Sequence, residues 1–250
     1  MNTRENSHNR STNLGRDIPS RDEAPAMFDR IAHRYDLLNR VLSGGRDVIW
    51  RHRLLRHLPP GRDLQVLDVA TGTADVLLTL INGSPRVHSG AGVDLADRML
   101  QIGRRKIAER GLGHRLTLQH GDAQDLPFED ERFEITTIAF GIRNVPDVPR
   151  GLAEMFRVLK PGGRALILEF SLPANRLVRR LYLLYFRYVL PRLGAMVSGD
   201  NFAYSYLNKT VETFPYGDQF CRLMHEAGFA NVRSDVLTFG IATIYIGEKQ

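Results

Sequence analysis

Residues 64–81 read LQVLDVATGTADVLLTLI, and the succession of residue types along this stretch decides the fold. Leu64–Val69 is a short apolar run carrying an acid, Asp68, near its end, as a buried strand does. Ala70-Thr71-Gly72-Thr73-Ala74-Asp75 follows as a glycine turn that leads into a helix N-terminus, and Val76–Ile81 is the apolar segment behind it. A strand, a glycine turn and a helix together make the first unit of a parallel sheet wound on both faces.

The pattern repeats downstream. A second strand ends at Val93-Asp94, Met99–Arg110 is helical, and Leu116–Leu118 is a third strand. Phe133–Phe140 (FEITTIAF) is nearly continuously apolar, as expected where a parallel strand is covered on both faces. Gly151–Leu159 is predicted as a helix stopped by Lys160-Pro161-Gly162-Gly163, with a fifth strand at Ala165–Glu169. Phe214–Ala227 reads as another helix, and two apolar runs split at Gly240 predict a hairpin. Upstream, a helical pattern begins at Ala26 with Met27, Phe28, Ile31 and Tyr35 on one stripe. Leu37, Leu38, Val41 and Leu42 extend it until Ser43-Gly44-Gly45, and Asp47–Leu58 predicts a further helix ended by Pro59-Pro60-Gly61. The expected organisation is a flexible tail at 1–24 and one α/β domain at 25–250, with a helical cap at 25–60 and a helical insertion at 170–212.

Composition narrows the function. The chain has 250 residues with 43% hydrophobic side chains, enough for a sizeable core, and its net charge of +6 is modest. A single cysteine, Cys221, excludes an internal disulfide framework and a cysteine-based zinc cluster, and points to a reducing compartment. The longest uncharged stretch, Val236–Gly247, has 12 residues, too few to span a bilayer. The opening residues lack the apolar core of a secretory signal, so a cytoplasmic location is expected.

Ligands of open α/β sheets bind beyond the carboxyl ends of the strands. Asp68 and Asp94 close the first two strands, and Asp122 follows the third. Asp94 lies 26 residues past Asp68, a suitable βαβ distance for a carboxylate that pairs with ribose hydroxyls. A dinucleotide fails on residues, since its pyrophosphate needs G-x-G-x-x-G and only Gly72 is present. An acid ending the first strand suits a cationic ligand better, and the sulfonium and ammonium of S-adenosylmethionine are such groups. The competing reading has Asp68 and Asp75 merely capping backbone N–H groups.

Three segments add a family resemblance: Tyr35-Asp36-Leu37-Leu38-Asn39 with Ser43 and Trp50, then Phe140-Gly141-Ile142-Arg143-Asn144-Val145, then Arg157–Gly163 through Glu169-Phe170-Ser171. Over residues 26–249 the chain resembles the quinone-biosynthesis C-methyltransferases, which methylate demethylmenaquinol or the methoxy-polyprenyl-benzoquinol precursor of ubiquinone. The resemblance implies a class I S-adenosylmethionine-dependent methyltransferase fold, a doubly wound, mostly parallel seven-stranded sheet with a C-terminal antiparallel hairpin and added helices. It implies cofactor contacts from Thr73 in the first turn with Thr71 and Gly72, from Asp94 with Leu95 and Met99, from Asp122 and Ala123, and from Ala139. Asp68 would orient the methionine ammonium. Tyr35, Asn39, Phe140 and Arg143 would face the quinol, and Arg143, Asn144 and Asp122 would carry catalysis. The activated methyl requires no metal. Arg143 is assigned to the ring oxygen and Asp122 to a proton relay, because arginine is a poor base. Two other readings stay open: Arg143 as an ion pair holding the loop after strand four, and Tyr35 as a packing residue. The chain departs from the family pattern at Asp47, Ala74 and Ala139, where histidine, glycine and serine are common.

Residues 176–192, RLVRRLYLLYFRYVLPR, hold five arginines and no acid. As a helix, Arg176, Arg179, Arg180 and Arg187 fall near one face. A peripheral contact with an anionic membrane at its inner face, a crossover helix with a buried apolar face, and a homodimer contact all fit this pattern. Nucleic acid is not the expected partner: the surplus charge is concentrated in this segment, and an Asn/Asp-Pro-Pro-aromatic motif is absent.

Overall fold

The computed structural model describes residues 21–189 and 210–250. The tail at 1–20, residues 190–192 of the arginine-rich segment and 190–209 of the expected insertion lie outside the described residues.

Seven strands form one sheet in the order β3-β2-β1-β4-β5-β7-β6. They are β1 (Leu64–Val69), β2 (Val87–Asp94), β3 (Leu116–His120), β4 (Phe133–Ala139), β5 (Leu159–Phe170), β6 (Ala230–Leu237) and β7 (Ala242–Glu248). The first five are parallel, and β7 runs antiparallel between β5 and β6. The order reverses between β1 and β4, which opens a crevice at their carboxyl ends.

Alternation along each strand feeds two cores. Val66, Leu166, Leu168, Ile244 and Ile246 pack on one side with α2 (Arg46–Arg53), α3 (Asp75–Gly83) and α4 (Asp97–Glu109). Leu67, Val69, Ala165, Ile167 and Tyr245 face the other side, beneath α5 (Val148–Arg157) and α7 (Asp218–Glu226). This alternation is the doubly wound arrangement read from the sequence. Across the strand ends lies α1 (Ala24–Leu42), longer at its start than Ala26 because Pro25 occupies the first helical turn, where its missing N–H costs nothing.

Three boundaries differ from expectation. Leu159 begins β5 rather than ending a helix: Phe133 pairs with Leu159 and Ile135 with Arg164, so residues 160–163 bulge out of the strand. A Cβ on Gly163 would sit 2.8 Å from the Lys160 carbonyl oxygen, which is why glycine occupies the bulge. The expected helix from Phe214 starts only at Asp218, since Pro215 and Gly217 interrupt it, although Phe214 still packs in the core. The helix expected to run from Asp47 to Leu58 ends at Arg53 and tightens into a 3-10 turn over Leu54–His57.

α6 (Arg176–Leu184) continues into a π-helical turn, Tyr185–Val189. Its buried anchor is Tyr182, packed with Leu38 and Val211. Leu177, Leu181 and Leu184 are exposed, so the described part of this helix does not have the wholly buried apolar face of an ordinary crossover.

Candidate active site

The carboxyl ends of β1–β4 surround a cavity of about 200 Å³, roofed by α1 and the turn before it. Ala70 and Gly72 line it from the first turn, Asp94, Leu95 and Met99 from the second strand and its helix, and Gly121–Gln124 from the third. Ala139, Phe140, Gly141, Asn144, Val145 and Pro146 form the fourth wall, and Arg21, Ala24, Pro25, Phe28 and Tyr35 form the roof.

The first turn is held by short hydrogen bonds to strand-end acids. Gly72 N–H donates to Asp94 Oδ2 at 2.8 Å, and Ala96 N–H to Asp94 Oδ1 at 2.8 Å. Gly72 has φ +55°, a left-handed conformation suited to glycine. Burial raises the Asp94 carboxyl above the usual carboxylate range, opposed by backbone donors from Ala96, Gly72 and Leu95. Asp68 sits beneath this layer, accepting from Thr71 Oγ1 at 2.7 Å and Thr137 Oγ1 at 2.6 Å. Burial pushes its pKa up to about 7 against those two hydroxyl bonds. Neither acid shares an ion pair with a described residue.

Of the expected cofactor contacts, Gly72, Asp94, Leu95, Met99, Asp122, Ala123 and Ala139 line the cavity. Asp68, Thr71 and Thr73 do not; all three are buried behind its wall. The Thr73 hydroxyl donates to Asp36 Oδ1 at 2.7 Å. Asp75 pairs with Lys106 at 2.7 Å and with Arg51 at 3.4 Å. Ala74, where the family commonly has glycine, adopts φ +66°, so this departure falls at a left-handed position. Ala139 presents a methyl where a serine would offer a hydroxyl. The Asp47 departure is buried with Arg51 Nη1 at 2.7 Å and the Ser43 hydroxyl at 2.9 Å.

Among the expected acceptor-side residues, Tyr35, Phe140, Asn144 and Asp122 line the cavity. Asn39 stands outside it and hydrogen-bonds Tyr35, whose hydroxyl pKa burial raises. Arg143 is also outside, 5% exposed, with Nη1 donating to Phe140 O and to Glu169 Oε1, both at 2.7 Å. Its guanidinium lies 5.4 Å from the Phe170 ring centre, and its Nε is buried without a hydrogen-bond partner among the described residues. Phe140 adopts φ +56°, the left-handed turn through which the chain leaves β4. Trp50, Phe140 and Phe170 pack together behind it, with centroid separations of 4.6 to 6.2 Å.

Sequence reasoning missed the roof residues Arg21, Ala24 and Pro25, of which Arg21 and Ala24 fell in the expected tail. Arg21 Nη1 donates to Val145 O at 3.2 Å and to Pro146 O at 3.3 Å. It missed Glu169 as the partner of Arg143, and Gln124, whose backbone and amide bond Asp122. A Pro at the first turn of α1 was the available signal that the helix begins before Ala26.

The donor set suits S-adenosylmethionine. Carboxylates accept from ribose hydroxyls and neutralise a sulfonium and an ammonium, whereas an anionic pyrophosphate would meet Asp94 and Asp122 as like charges. Leu95, Met99 and Ala123 supply apolar surface for a purine.

A family model described as the ubiE/COQ5 methyltransferase family matches residues 20–249. The ubiquinone/menaquinone biosynthesis C-methyltransferase UbiE of Geotalea daltonii is 48% identical over 226 residues, covering 89% of this chain and 94% of that protein. The demethylmenaquinone methyltransferase of Bacteroides fragilis is 40% identical over 228 residues, covering 91% and 93%. A solved S-adenosylmethionine-dependent methyltransferase from Thermotoga maritima matches with a TM-score of 0.60 at 20% identity, covering 90% of this chain and 99% of its own, a likeness of fold alone. The sheet order, the strand-end cavity and these matches agree: the chain belongs to the ubiE/COQ5 methyltransferase family and is an S-adenosylmethionine-dependent methyltransferase.

Proposed function

We propose that this enzyme methylates a ring carbon of a polyprenylated quinol, with demethylmenaquinol as the acceptor and the methoxy-polyprenyl-benzoquinol as the alternative substrate. The observation that carries the reading is one cavity lined both by Asp94 and Asp122 and by Phe28, Tyr35, Phe140 and Asn144. The cofactor, when bound, supplies an electrophilic methyl. The chain's own residues bind, orient and handle the proton.

Asp94 holds ribose hydroxyls while its other lone pairs keep Gly72 and Ala96 in place. Phe140 and Tyr35 sandwich the acceptor ring, so that alignment contributes much of the acceleration. Asn144 orients a ring oxygen. Arg143 acts from behind the wall: its fixed positive charge favours the phenolate, whose negative charge is neutralised as the ring carbon takes the sulfonium methyl and returns to the ring oxygen when the ring proton leaves. The ring proton released after methylation passes to Asp122, through water where distance requires. An arginine cannot take that proton near neutrality.

The exposed stripe Leu177, Leu181, Leu184 and Tyr188 beside Arg176, Arg179, Arg180 and Arg187 supports peripheral contact with an anionic membrane carrying the substrate tail. No helix among the described residues is long and apolar enough to cross a membrane. Methyl-labelled cofactor offered with each reduced quinone precursor tests the assignment: label should enter demethylmenaquinol fastest, and transfer to neither quinol would overturn it. Flotation with phosphatidylglycerol vesicles, compared with phosphatidylcholine vesicles, tests the surface. Self-association in sedimentation without flotation would assign the same face to a homodimer instead.

A further inference from the structure

α1 covers the cavity, and Lys106, which ties it to the first turn, lies outside the cavity wall. Lys106, on α4, places Nζ 2.6 Å from Asp36 Oδ2 of α1, 2.7 Å from Asp75 Oδ1 of α3 and 2.9 Å from Thr73 Oγ1 of the first turn. An ammonium has three N–H groups, and here each finds an acceptor on a different segment. Thr73 passes its own proton on to Asp36 Oδ1, closing a ring of hydrogen bonds between cover and turn. At the opposite end of the cover, Arg21 reaches the carbonyls of Val145 and Pro146. Between these two fasteners, Phe28 and Tyr35 face the cavity.

We propose that Lys106 is a positioning residue, latching α1 over the bound cofactor so that release of this latch limits departure of the cofactor and its demethylated product. The proposal rests on the cavity being the cofactor site. Three features make Lys106 a latch rather than simple adhesion. It joins the cover directly to the turn whose Gly72 N–H is held by Asp94, so cover and cofactor loop move as one unit while the ring is closed. The contact is polar and partly exposed, with 18% of the lysine side chain accessible, so water can replace its bonds on opening. Removing the cation also leaves Asp36 and Asp75 as neighbouring like charges, which drives the cover away from the turn.

The test uses the full chain and S-adenosylhomocysteine as the probe. Lys106→Met should dissociate S-adenosylhomocysteine roughly tenfold faster in stopped flow. It should raise KM for the cofactor while kcat holds or rises, and speed hydrogen exchange in residues 24–42 but not in β1, β4 or β5. Lys106→Arg should restore most of the slow dissociation, and Lys106→Met with Asp36→Asn should dissociate more slowly than Lys106→Met alone, because one of the two repelling charges is gone. A merely structural lysine would lower the melting temperature and raise exchange throughout, with dissociation unchanged. Folded Lys106→Met with wild-type dissociation and wild-type exchange in α1 overturns the latch; should that variant not fold, Asp36→Asn decides by the same two measurements. Should Asp94→Ala leave cofactor affinity intact, the cavity assignment itself fails. Lost affinity in Asp94→Ala together with unchanged dissociation in Lys106→Met sinks only the latch.

Discussion

The two ends of the cavity handle buried negative charge in opposite ways. At the β1–β2 end, Asp68 and Asp94 are held by threonine hydroxyls and backbone N–H groups, with no cation paired to either among the described residues. At the β4–β5 end, Glu169 is 1% exposed and meets Arg143 at 2.7 Å. The first arrangement leaves charge uncompensated, and burial lifts both carboxyl pKa values as a consequence. Such acids gain most from a ligand that brings its own positive charge. The second end is already neutral, and its cation stands next to the wall where a ring oxygen would become negative. One end is built to receive a cation and the other to tolerate an anion.

The largest expected effect breaks the neutral end. Arg143→Gln strands the Glu169 carboxylate in the core, and breaking a buried pair from one side costs about 3–5 kcal/mol. Denaturant unfolding of Arg143→Gln should show this loss, and adding Glu169→Gln should return most of it. Turnover should remain low in both variants while cofactor affinity stays within a few-fold, because the cation is missing in each. Full turnover in the double variant would remove Arg143 from the chemistry and leave it as a brace for the loop.

Next in size is the charged end. Asp94→Ala removes a backbone contact to the first turn, one to Ala96 after β2 and the ribose acceptor, so cofactor affinity should fall roughly 100-fold, as expected for lost bonds to a charged group. Calorimetry on the folded variant measures it, and unchanged affinity would dissolve the contrast between the two ends.

These two ends were not equally legible from sequence. The acids at strand ends follow from the apolar runs that precede them, so Asp68, Asp94 and Asp122 stood out from pattern alone. Arg143 did not reveal its partner, because Glu169 is 26 residues away and reaches it only once β4 and β5 lie side by side. Lys106 and Asp36 were hidden for the same reason: periodicity tells which face of a helix is polar, not which distant charge it meets. The glycines at 162–163 read as a helix stop because a strand bulge and a helix end use the same residues.

A smaller effect titrates the charged end. The folded-state pKa of Asp68, about 7, lies above its unfolded value, so the folded protein binds the extra proton. Its stabilising contribution is complete below the unfolded pKa and is lost as pH rises through about 7. Asp68→Asn carries no such proton. Relative to that variant, the ligand-free wild type should lose roughly 2 kcal/mol between pH 5 and 8 in urea unfolding. A flat difference would mean that Thr71 and Thr137 already keep the carboxylate ionised, removing the uncompensated charge from this end.

The smallest effect concerns the turn between the two acids. Ala74 pays about 1 kcal/mol for a left-handed backbone, and glycine there would relieve it. Its methyl is fully buried, however, and losing it costs about 0.8 kcal/mol, with a further few tenths from the looser unfolded chain. These terms nearly cancel, so Ala74→Gly should shift stability by less than about 1 kcal/mol in thermal unfolding. Cofactor affinity should also change little, because the 2.8 Å bond from Gly72 to Asp94 sets the turn whichever residue follows. A large gain in affinity would show that strain at residue 74 holds the Gly72 amide away from its best position. The geometry of the charged end would then depend on the backbone at residue 74 as much as on the grip of Asp94.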